Sequence, residues 1–289
     1  MKYAYIESLR GKHAIHRMCI WLQVSRSGYY KWRNRAPSTR ARQRALVEQA
    51  LVVTFEQFRR RYGAPRLVVE LNEAGIPCSL NHIAQLMAEN GLKARNGKQY
   101  KYFPAATALS HVSDNLLGRD FEASRPDEKW VSDITYIKID RGFVYLAVIM
   151  DLFSRQVIGW ALDTQMTTDL IVEAFDMAVA RREVNPGLIL HSDRGTQYRS
   201  SEYQGKLLEA GIRPSMSRKG NCWDNAAMES FFARMKVESI YAVKPANKEE
   251  AYAEVFEYIE LFYNNIRRHS ANGYRSPKEY EQDYYAQCA

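Results

Sequence analysis

Three acidic residues occur in segments whose composition suits metal-dependent chemistry on phosphate esters. Asp133 lies in W-V-S-D-I-T-Y, Asp193 in H-S-D-R-G-T-Q-Y, and Glu229 in N-C-W-D-N-A-A-M-E-S-F-F. Phosphodiester cleavage needs an activated oxygen nucleophile and charge relief on the leaving oxygen, and two Mg²⁺ ions about 3.5–4 Å apart supply both. Because Mg²⁺ prefers hard oxygen ligands and keeps part of its water shell, a few carboxylates are enough to hold it.

Each carboxylate taken alone also has an ordinary structural explanation. An aspartate in a buried strand is often simply hydrogen-bonded, and a glutamate on a helix is usually solvated. Asp151, at the end of an apolar segment, is an acidic competitor for a ligand role, and we interpret it as structural. The order and spacing of the other three favour a shared site, because 35 residues separate Asp193 from Glu229.

The pattern around these residues predicts the elements that position them. The predicted order is strands over 130–140, 142–151 and 156–162, a helix over 168–182, a strand over 188–191, a helix near 201–210, a strand near 212–216, and a helix from Asp224 to about Ser239. This order is typical of a ribonuclease-H-like α/β domain with a mixed five-stranded sheet. Asp193 then follows a strand, before a glycine that frees the turn. Asp224 or Asn225 would cap the last helix and place Glu229 in its early turns.

The residues before this domain are predicted to be helical and of DNA-binding type. In 13–34, apolar positions at helical spacing alternate with basic ones, and a helix-turn-helix-like pair with a cap at Ser25 or Ser27 is expected. Further helices are predicted over 40–61, over 66–75 after a turn at 62–65, and over 82–90 with Asn81 as its cap. A helical tail is expected over 248–289.

The charge distribution predicts a polyanionic partner. Residues 1–101 hold 19 Lys and Arg against 6 Asp and Glu, net +13, whereas the remainder holds 22 against 27, net −5. A solvated basic surface would not explain this asymmetry, and DNA is the natural partner of such a region.

Composition excludes several other classes of protein. No apolar run reaches the ~18 residues of a membrane span, and residues 1–10 lack a signal-peptide core, so we expect a cytoplasmic protein with no membrane partner. The four cysteines, Cys19, Cys78, Cys222 and Cys288, form no Cys-x-x-Cys pair and are expected to be reduced thiols.

Together these motifs resemble those of bacterial transposases of the insertion-sequence-three family, and the resemblance covers essentially the whole chain. W-x-x-D-I-T-Y, H-S-D-R-G-x-Q-Y and N-C-W-D-N-A-x-x-E-S-F-F are similar to its catalytic motifs, whose 35-residue gap is shared with retroviral integrases. V-S-R-S-G-Y-Y-K-W at 24–32 is similar to the start of the second-frame (OrfB) product. R-Y-G-A-P-R at 61–66 and the segment 75–87 resemble its integrase-associated helix-turn-helix, and Y-N-N-x-R-R-H at 263–269 its C-terminal signature.

The resemblance implies a DNA transposase that cuts one strand at an element end and then uses the 3′-hydroxyl to attack another phosphodiester. It implies Asp133, Asp193 and Glu229 as ligands of two Mg²⁺ ions, with Mn²⁺ as a substitute. No zinc is expected, since the chain lacks the His-His-Cys-Cys cluster of retroviral integrases. Lys236, seven positions after the glutamate, stands where the family carries a basic residue, which implies a DNA contact. Its alternative is a solvated lysine at the helix edge.

Further DNA contacts are expected from Arg26, Arg66, Arg218 and Lys219. Residues 217–221 are polar, basic and glycine-containing, so we expect this loop to be mobile without DNA. An ordinary surface loop is the alternative for Arg218 and Lys219.

The expected domains are a helix-turn-helix-like unit at 1–38, an integrase-associated helix-turn-helix at 39–100, a linker at 101–124, the catalytic core at 125–240 and a helical extension at 241–289. Expected partners are double-stranded DNA, further copies of the chain on that DNA, and an upstream-frame protein or frameshift fusion.

A plain nuclease and a non-catalytic DNA-binding protein are the alternative functions. The three intact carboxylates argue against a non-catalytic protein. The basic helical region at residues 1–101 argues against a plain nuclease, which has less need of it.

Overall fold

An α/β layer with helical regions before and after it makes up the chain, and the computed structural model describes residues 1–95, 113–218 and 225–288. Among the helices of those ranges, none combines the length and apolar character that crossing a bilayer requires.

The N-terminal unit is a small three-helix group with its own core. Its helices are α1 (Lys2–Ser8), α2 (Ile15–Trp21) and α3 (Arg26–Arg33). The apolar side chains Ile6, Met18, Cys19 and Tyr29 are buried between them. Of the two predicted caps Ser25 is the one used, because its hydroxyl accepts a hydrogen bond from the Gly28 N–H at 3.0 Å.

A second helical group follows, and its helix ends differ from those predicted. It consists of α4 (Thr39–Gln57), α5 (Ala64–Glu73) and α6 (Leu80–Glu89). The first helix ends before Arg61 because Arg59 and Arg60 take left-handed backbone angles, φ 50° and 60°. Pro65 lies in the first turn of α5, where a missing N–H is tolerated, rather than in the turn before it.

The predicted cap of α6 was wrong. Ser79 occupies the N-cap, and its hydroxyl accepts a hydrogen bond from the His82 N–H at 3.3 Å. Asn81 lies inside the first turn, because the serine two positions earlier already has the extended backbone that a cap requires.

The five predicted strands are all present and form one mixed sheet. They are β1 (Lys129–Ile139), β2 (Gly142–Asp151), β3 (Val157–Asp163), β4 (Ile189–Ser192) and β5 (Arg213–Met216). Their order is β3-β2-β1-β4-β5. The first three strands pair antiparallel, whereas β4 runs parallel to both β1 and β5. The mixed five-stranded sheet that the sequence predicts is confirmed.

Helices cover both faces of this sheet. On one face, α7 (Thr168–Arg181) and α8 (Ser201–Glu209) pack against a cluster that includes Trp130 and Ile149. The approach of α7 is close, because a Cβ at Gly159 would overlap the backbone of that helix. On the other face, α9 (Ala226–Met235) packs against a cluster that includes Val131 and Val148.

The helix predicted to run to Ser239 changes its winding before that point. After α9, a wider π-helical turn spans Lys236–Ile240, and α10 (Tyr241–Val243) follows. Lys236, Glu238 and Ser239 are all buried in this turn. Residues two apart in a helix point to nearly opposite sides, so both sides of this turn are covered by the rest of the chain.

The predicted helical tail is confirmed. It contains α11 (Lys248–Phe256), a π-helical segment (Glu257–Tyr263), a short 3₁₀ turn (Ser270–Asn272) and α12 (Pro277–Cys288). Its buried side chains share one apolar cluster with α4–α6 and with the α9 face of the sheet.

Part of the predicted linker packs on the sheet. The Ser215 hydroxyl in β5 accepts hydrogen bonds from the N–H groups of Leu116 and Leu117, at 2.9 and 3.2 Å. Residues 101–112 of that linker lie outside the described residues.

Candidate active site

Parallel pairing of β1 and β4 brings two of the predicted carboxylates together. Val131 of β1 is in register with His191 of β4. Asp133 and Asp193 each follow two positions later, so they lie side by side where the two strands leave their pairing. One carboxylate oxygen of Asp133 accepts the Ile134 N–H at 2.8 Å, which fixes the direction of that side chain.

Asp193 is held in the same way by the turn that follows β4. Its Oδ1 accepts the Gly195 N–H at 2.8 Å. We expected Gly195 to be needed for its backbone freedom, but its φ is not positive. The requirement is space, because a Cβ there would lie 3.0 Å from the same oxygen of Asp193.

Glu229 approaches from α9, on the α9 face of the sheet, and the three carboxylates interact electrostatically. Burial, and then the negative charges of Asp193 and Glu229, raise the pKa of Asp133 well above its usual range. Burial also raises the pKa of Asp193 and of Glu229. The site therefore concentrates acidic groups where a cation would relieve their repulsion.

Asn225 is a site residue that motif reasoning did not identify. It occupies the N-cap position of α9, but its side chain does not cap the helix. Its Nδ2 instead donates to the Ser132 carbonyl at 3.2 Å, directly beside Asp133. Its Oδ1 is buried and has no hydrogen-bond partner among the described residues. Asp224, the other predicted cap, lies outside the described residues.

The donor set fits a hard cation such as Mg²⁺. It offers carboxylate oxygens with raised pKa values and an orphaned carboxamide oxygen, and unpartnered buried oxygens of this kind are uncommon in proteins. Within the ranges that the structure describes, no three His, Cys, Asp or Glu side chains lie close enough together to hold a metal ion. Glu229 thus shares the electrostatics of the site but does not complete a ligand cluster with the two aspartates.

The histidine of H-S-D has a structural role in the site. His191 is fully buried, with Nδ1 2.8 Å from the Ser215 hydroxyl and Nε2 3.1 Å from the Ser217 hydroxyl. Ser217 in turn donates from its backbone N–H to the Ser192 carbonyl at 2.9 Å. The loop predicted to be mobile is therefore anchored at its first residue, and its residues 219–221 lie outside the described residues.

Lys236 is buried, so it is not the solvated lysine that stands as the alternative to a DNA contact. Only 6% of it is exposed, and its ammonium lies 4.6 Å from the centre of the Tyr136 ring. Burial lowers the pKa of Lys236 to about 8, against the opposing effect of Asp133. Its contact with DNA stays a prediction.

The other predicted DNA contacts lie in different settings. Arg26 and Arg218 are exposed. The Arg66 guanidinium is half-buried, donates to the Arg268 carbonyl at 2.8 Å and lies over the Tyr62 ring, so it takes part in packing of the tail. Lys219 lies outside the described residues.

Asp151 has the surroundings of a structural residue. It is fully buried at the far end of β2, and its carboxylate accepts the N–H groups of Asp127 and Phe153, both at 2.7 Å. Burial raises its pKa to about 7. One bond comes from the turn after β2 and the other from the segment before β1, so the carboxylate ties two backbone segments together, which supports our interpretation of Asp151.

Comparison with family models identifies both parts of the chain. Models described as integrase core domain match residues 123–222 and 210–277, and one described as HTH-like domain matches residues 41–100. The predicted fold class, a ribonuclease-H-like integrase core preceded by a helix-turn-helix-like region, is thereby confirmed.

Two relatives match almost the whole length of the chain. Transposase InsF for insertion sequence IS3A of Escherichia coli (strain K12) is 42% identical over 283 residues, which are 97% of this chain and 98% of the relative. Transposase InsF for insertion sequence IS3fB of that strain is 42% identical over 288 residues, 99% of this chain and 100% of the relative. A chain of the simian T-cell lymphotropic virus intasome is 15% identical, with TM-score 0.46 over 80% of this chain and 73% of that chain. The chain belongs to the family of InsF transposases of the IS3 insertion sequences.

Proposed function

We propose that this transposase cuts one DNA strand at an element end and joins the freed 3′-hydroxyl to a target phosphodiester, with Asp133, Asp193 and Glu229 holding two Mg²⁺ ions. The observation that carries the proposal is the parallel register of β1 and β4, which sets Asp133 beside Asp193, with Glu229 on α9 near enough for its charge to act on Asp133. We expect Mn²⁺ to replace Mg²⁺, because both suit oxygen ligands.

The chain's own residues bind and orient in this scheme. When bound, the ions would activate the attacking oxygen and neutralise the leaving one. Asp133 and Asp193 are aimed by backbone N–H groups, so their direction is set before any ligand arrives. Because carboxylates bind metal in their ionised form, binding releases the protons that the raised pKa values retain.

Glu229 is the movable member of the set in this proposal. It lies on the first turns of α9, four residues after Asn225, whose amide ties the start of the helix to β1. A small displacement of this helix start would change the distance from Glu229 to the two aspartates. We propose that DNA and metal together bring the glutamate into the ligand set.

The test is a joining assay with labelled candidate element ends, a target duplex and Mg²⁺. Asp133→Asn, Asp193→Asn and Glu229→Gln should each reduce cutting and joining by orders of magnitude while DNA binding is retained. Asp140→Asn is the matched control, because Asp140 is an exposed aspartate just beyond the end of β1. A neutral variant with near-normal joining would remove that residue from the ligand set, and cutting without joining would indicate a nuclease.

The remaining expectations are also part of the proposal. The basic helical regions would bind double-stranded DNA at element ends and target, with Arg26, Arg66, Arg218, Lys219 and Lys236 among the contacts. Further copies of the chain and an upstream-frame segment would complete the assembly on DNA, in the cytoplasm.

A further inference from the structure

Three exposed aromatic side chains border the candidate active site. We call Tyr136, Phe143 and Tyr241 the aromatic patch; 44%, 47% and 53% of these residues, respectively, are exposed. The Tyr136 and Phe143 rings meet edge to face, with centroids 5.3 Å apart and an interplanar angle of 85°. Tyr241 is close enough to Tyr136 for the neighbouring phenol to raise its pKa, after the effect of burial.

The aromatic patch is within reach of the reacting phosphodiester. Lys236 links the two places, because its ammonium lies 4.6 Å from the centre of the Tyr136 ring and, against the lowering by burial, the charge of Asp133 raises its pKa. Side chains three residues apart in a strand leave opposite faces, and along β1 Tyr136 and Asp133 are separated by about 10 Å at ~3.3 Å per residue. Bases in a DNA strand rise by ~3.4 Å each, so this separation equals about three nucleotides. A DNA end whose phosphodiester lies at the carboxylates would therefore place its terminal bases at the patch.

Because Lys236 is buried, a DNA strand at this place would first contact the rings of the aromatic patch. The ammonium packs over the Tyr136 ring and is itself almost inaccessible. Ring faces and edges, with a cation beneath, form the surface presented to the ligand. Aromatic rings combined with positive charge are the features that bind unpaired nucleotides, because every base has a π-face that can stack.

Stabilisation of the β1–β2 hairpin does not by itself explain why Tyr136 and Phe143 are exposed. Cross-strand aromatic pairs do stabilise antiparallel strands. However, other large aromatic residues that pack on this sheet, such as Trp130 and Tyr198, are almost completely buried. Clustered aromatic exposure next to a cleft usually marks a binding surface.

We propose that Tyr136 and Phe143 stack on an unpaired base at the DNA end, and so hold the strand open beside the carboxylates. The ligand is the single-stranded terminus of a duplex, two to three nucleotides from the reacting bond. Tyr241 would extend the surface for a second base. This inference rests on the proposed function for the identity of the neighbouring site.

The experiment is a metal-free binding assay with the full chain and two DNA probes. One is a fully paired duplex, and the other is the same duplex with three unpaired terminal nucleotides, one of them 2-aminopurine. We expect wild type to bind the forked probe about 5- to 100-fold more tightly and to quench 2-aminopurine, as stacking on one or more bases predicts. Tyr136→Leu and Phe143→Leu should lose both effects, and Phe143→Trp should keep them.

Controls separate this inference from loss of folding and from the proposed chemistry. Tyr252→Ala removes an exposed aromatic on α11 and should keep the preference for the forked probe. Leucine retains apolar contact in the hairpin, and thermal unfolding checks that each variant is folded. Asp193→Asn should abolish joining yet keep the fork preference. Folded leucine variants that keep the preference and the quenching, or that weaken both probes equally, would overturn the proposal.

Discussion

At the residue scale, the triad aspartate in β1 has electrostatic consequences for stability. The folded-state pKa of Asp133 lies above its ordinary value, so the folded chain retains a proton that the unfolded chain releases. Stability is then lost as pH rises from about 4 through the raised pKa. At neutral pH without metal, the raised pKa of Asp133 therefore makes the fold less stable than a residue without this titration would.

We predict that Asp133→Asn raises the metal-free melting temperature at pH 7. A rise of a few degrees is expected, since about 1 kcal/mol shifts the midpoint by roughly 2–4 °C in a chain of comparable size. Added Mg²⁺ should stabilise wild type more than the variant, because the variant has lost a ligand. Thermal unfolding with and without Mg²⁺ measures both, with Asp140→Asn as control. A lower metal-free midpoint for Asp133→Asn than for wild type would contradict the prediction.

A histidine in the tail gives a separate pH dependence. Burial, followed by the charges of Arg267, Arg155 and Arg66, lowers the pKa of His269 to about 4. The folded state resists protonation, whereas an unfolded histidine takes up its proton near 6.5. Stability contributed by the neutral ring is therefore present above about 6.5 and lost as pH falls towards 4.

We predict that His269→Gln flattens the dependence of stability on pH between 6.5 and 4. Between pH 6.5 and 4, the free energy of unfolding should fall by up to about 3 kcal/mol more in wild type than in the variant, because of the shifted pKa of His269. Urea unfolding at several pH values gives the comparison. His16→Gln, at an exposed position on α2, is the control and should follow wild type. Identical slopes for wild type and His269→Gln would show that His269 is not responsible.

Residue-scale features were predictable where chemistry restricts residue type. Asp133, Asp193 and Glu229 could be singled out because a two-metal site needs carboxylates, and their role as ligands stays a prediction. Asn225 could not be identified, because its contact with Ser132 joins positions 93 residues apart. The burial of Lys236 could not be predicted either, since it depends on the Tyr136 ring, which lies far away in the sequence.

At the element scale, the π-helical turn after α9 connects that helix with the helical regions before and after the sheet. Glu238 in this turn accepts two N–H bonds from Arg267, both at 2.7 Å, and the Tyr258 hydroxyl at 2.9 Å. Its backbone carbonyl also accepts from Arg61 and Arg95, at 3.3 and 2.8 Å. The tail and the second helical group therefore both bind to Glu238.

We predict that Glu238→Gln destabilises the chain by about 3–5 kcal/mol, as expected when one partner of a buried ion pair is removed. Burial alone would raise the pKa of Glu238, but Arg267 holds it below the ordinary value. This stabilisation is present above about pH 4.5 and lost below it, so the variant should also lose wild type's sensitivity in that range. Denaturant unfolding measures both, with the exposed Glu249→Gln as control. If Glu238→Gln lowers the free energy of unfolding by less than about 1 kcal/mol, Glu238 does not anchor the tail to the rest of the chain.

Elements were predictable where a hydrophobic period extends over their length. The alternation in β1 and the apolar run of β2 fixed both strands, because each buries a defined face. Helix ends were less predictable, because they depend on local backbone such as the left-handed Arg59 and Arg60. The π-helical turn has no sequence period of its own, and the buried partners of Glu238 lie in distant segments.

At the scale of the whole molecule, the basic charge of the first third has two different uses. Next to the second helical group, Arg61 pairs with Glu257 of the tail at 2.6 Å and lies 3.8 Å from Glu254. These charges hold the molecule together. Residues 1–38 instead contain eight Lys and Arg against one acidic residue, Glu7, which is already paired with Arg10 and Arg33.

The salt dependence of DNA binding should reflect this division of charge. Arg26 and Lys31 are exposed on α3 and form no ion pair among the described residues, so they are available to phosphates. Each phosphate contact contributes about −0.9 to the slope of log affinity against log salt. Replacing both by alanine in the full chain should reduce the slope by about 1.8, whereas Arg61→Ala should lower stability and leave the slope unchanged. Fluorescence anisotropy over a salt series measures the slopes. An unchanged slope in the double variant would place the DNA-binding charge elsewhere in the molecule.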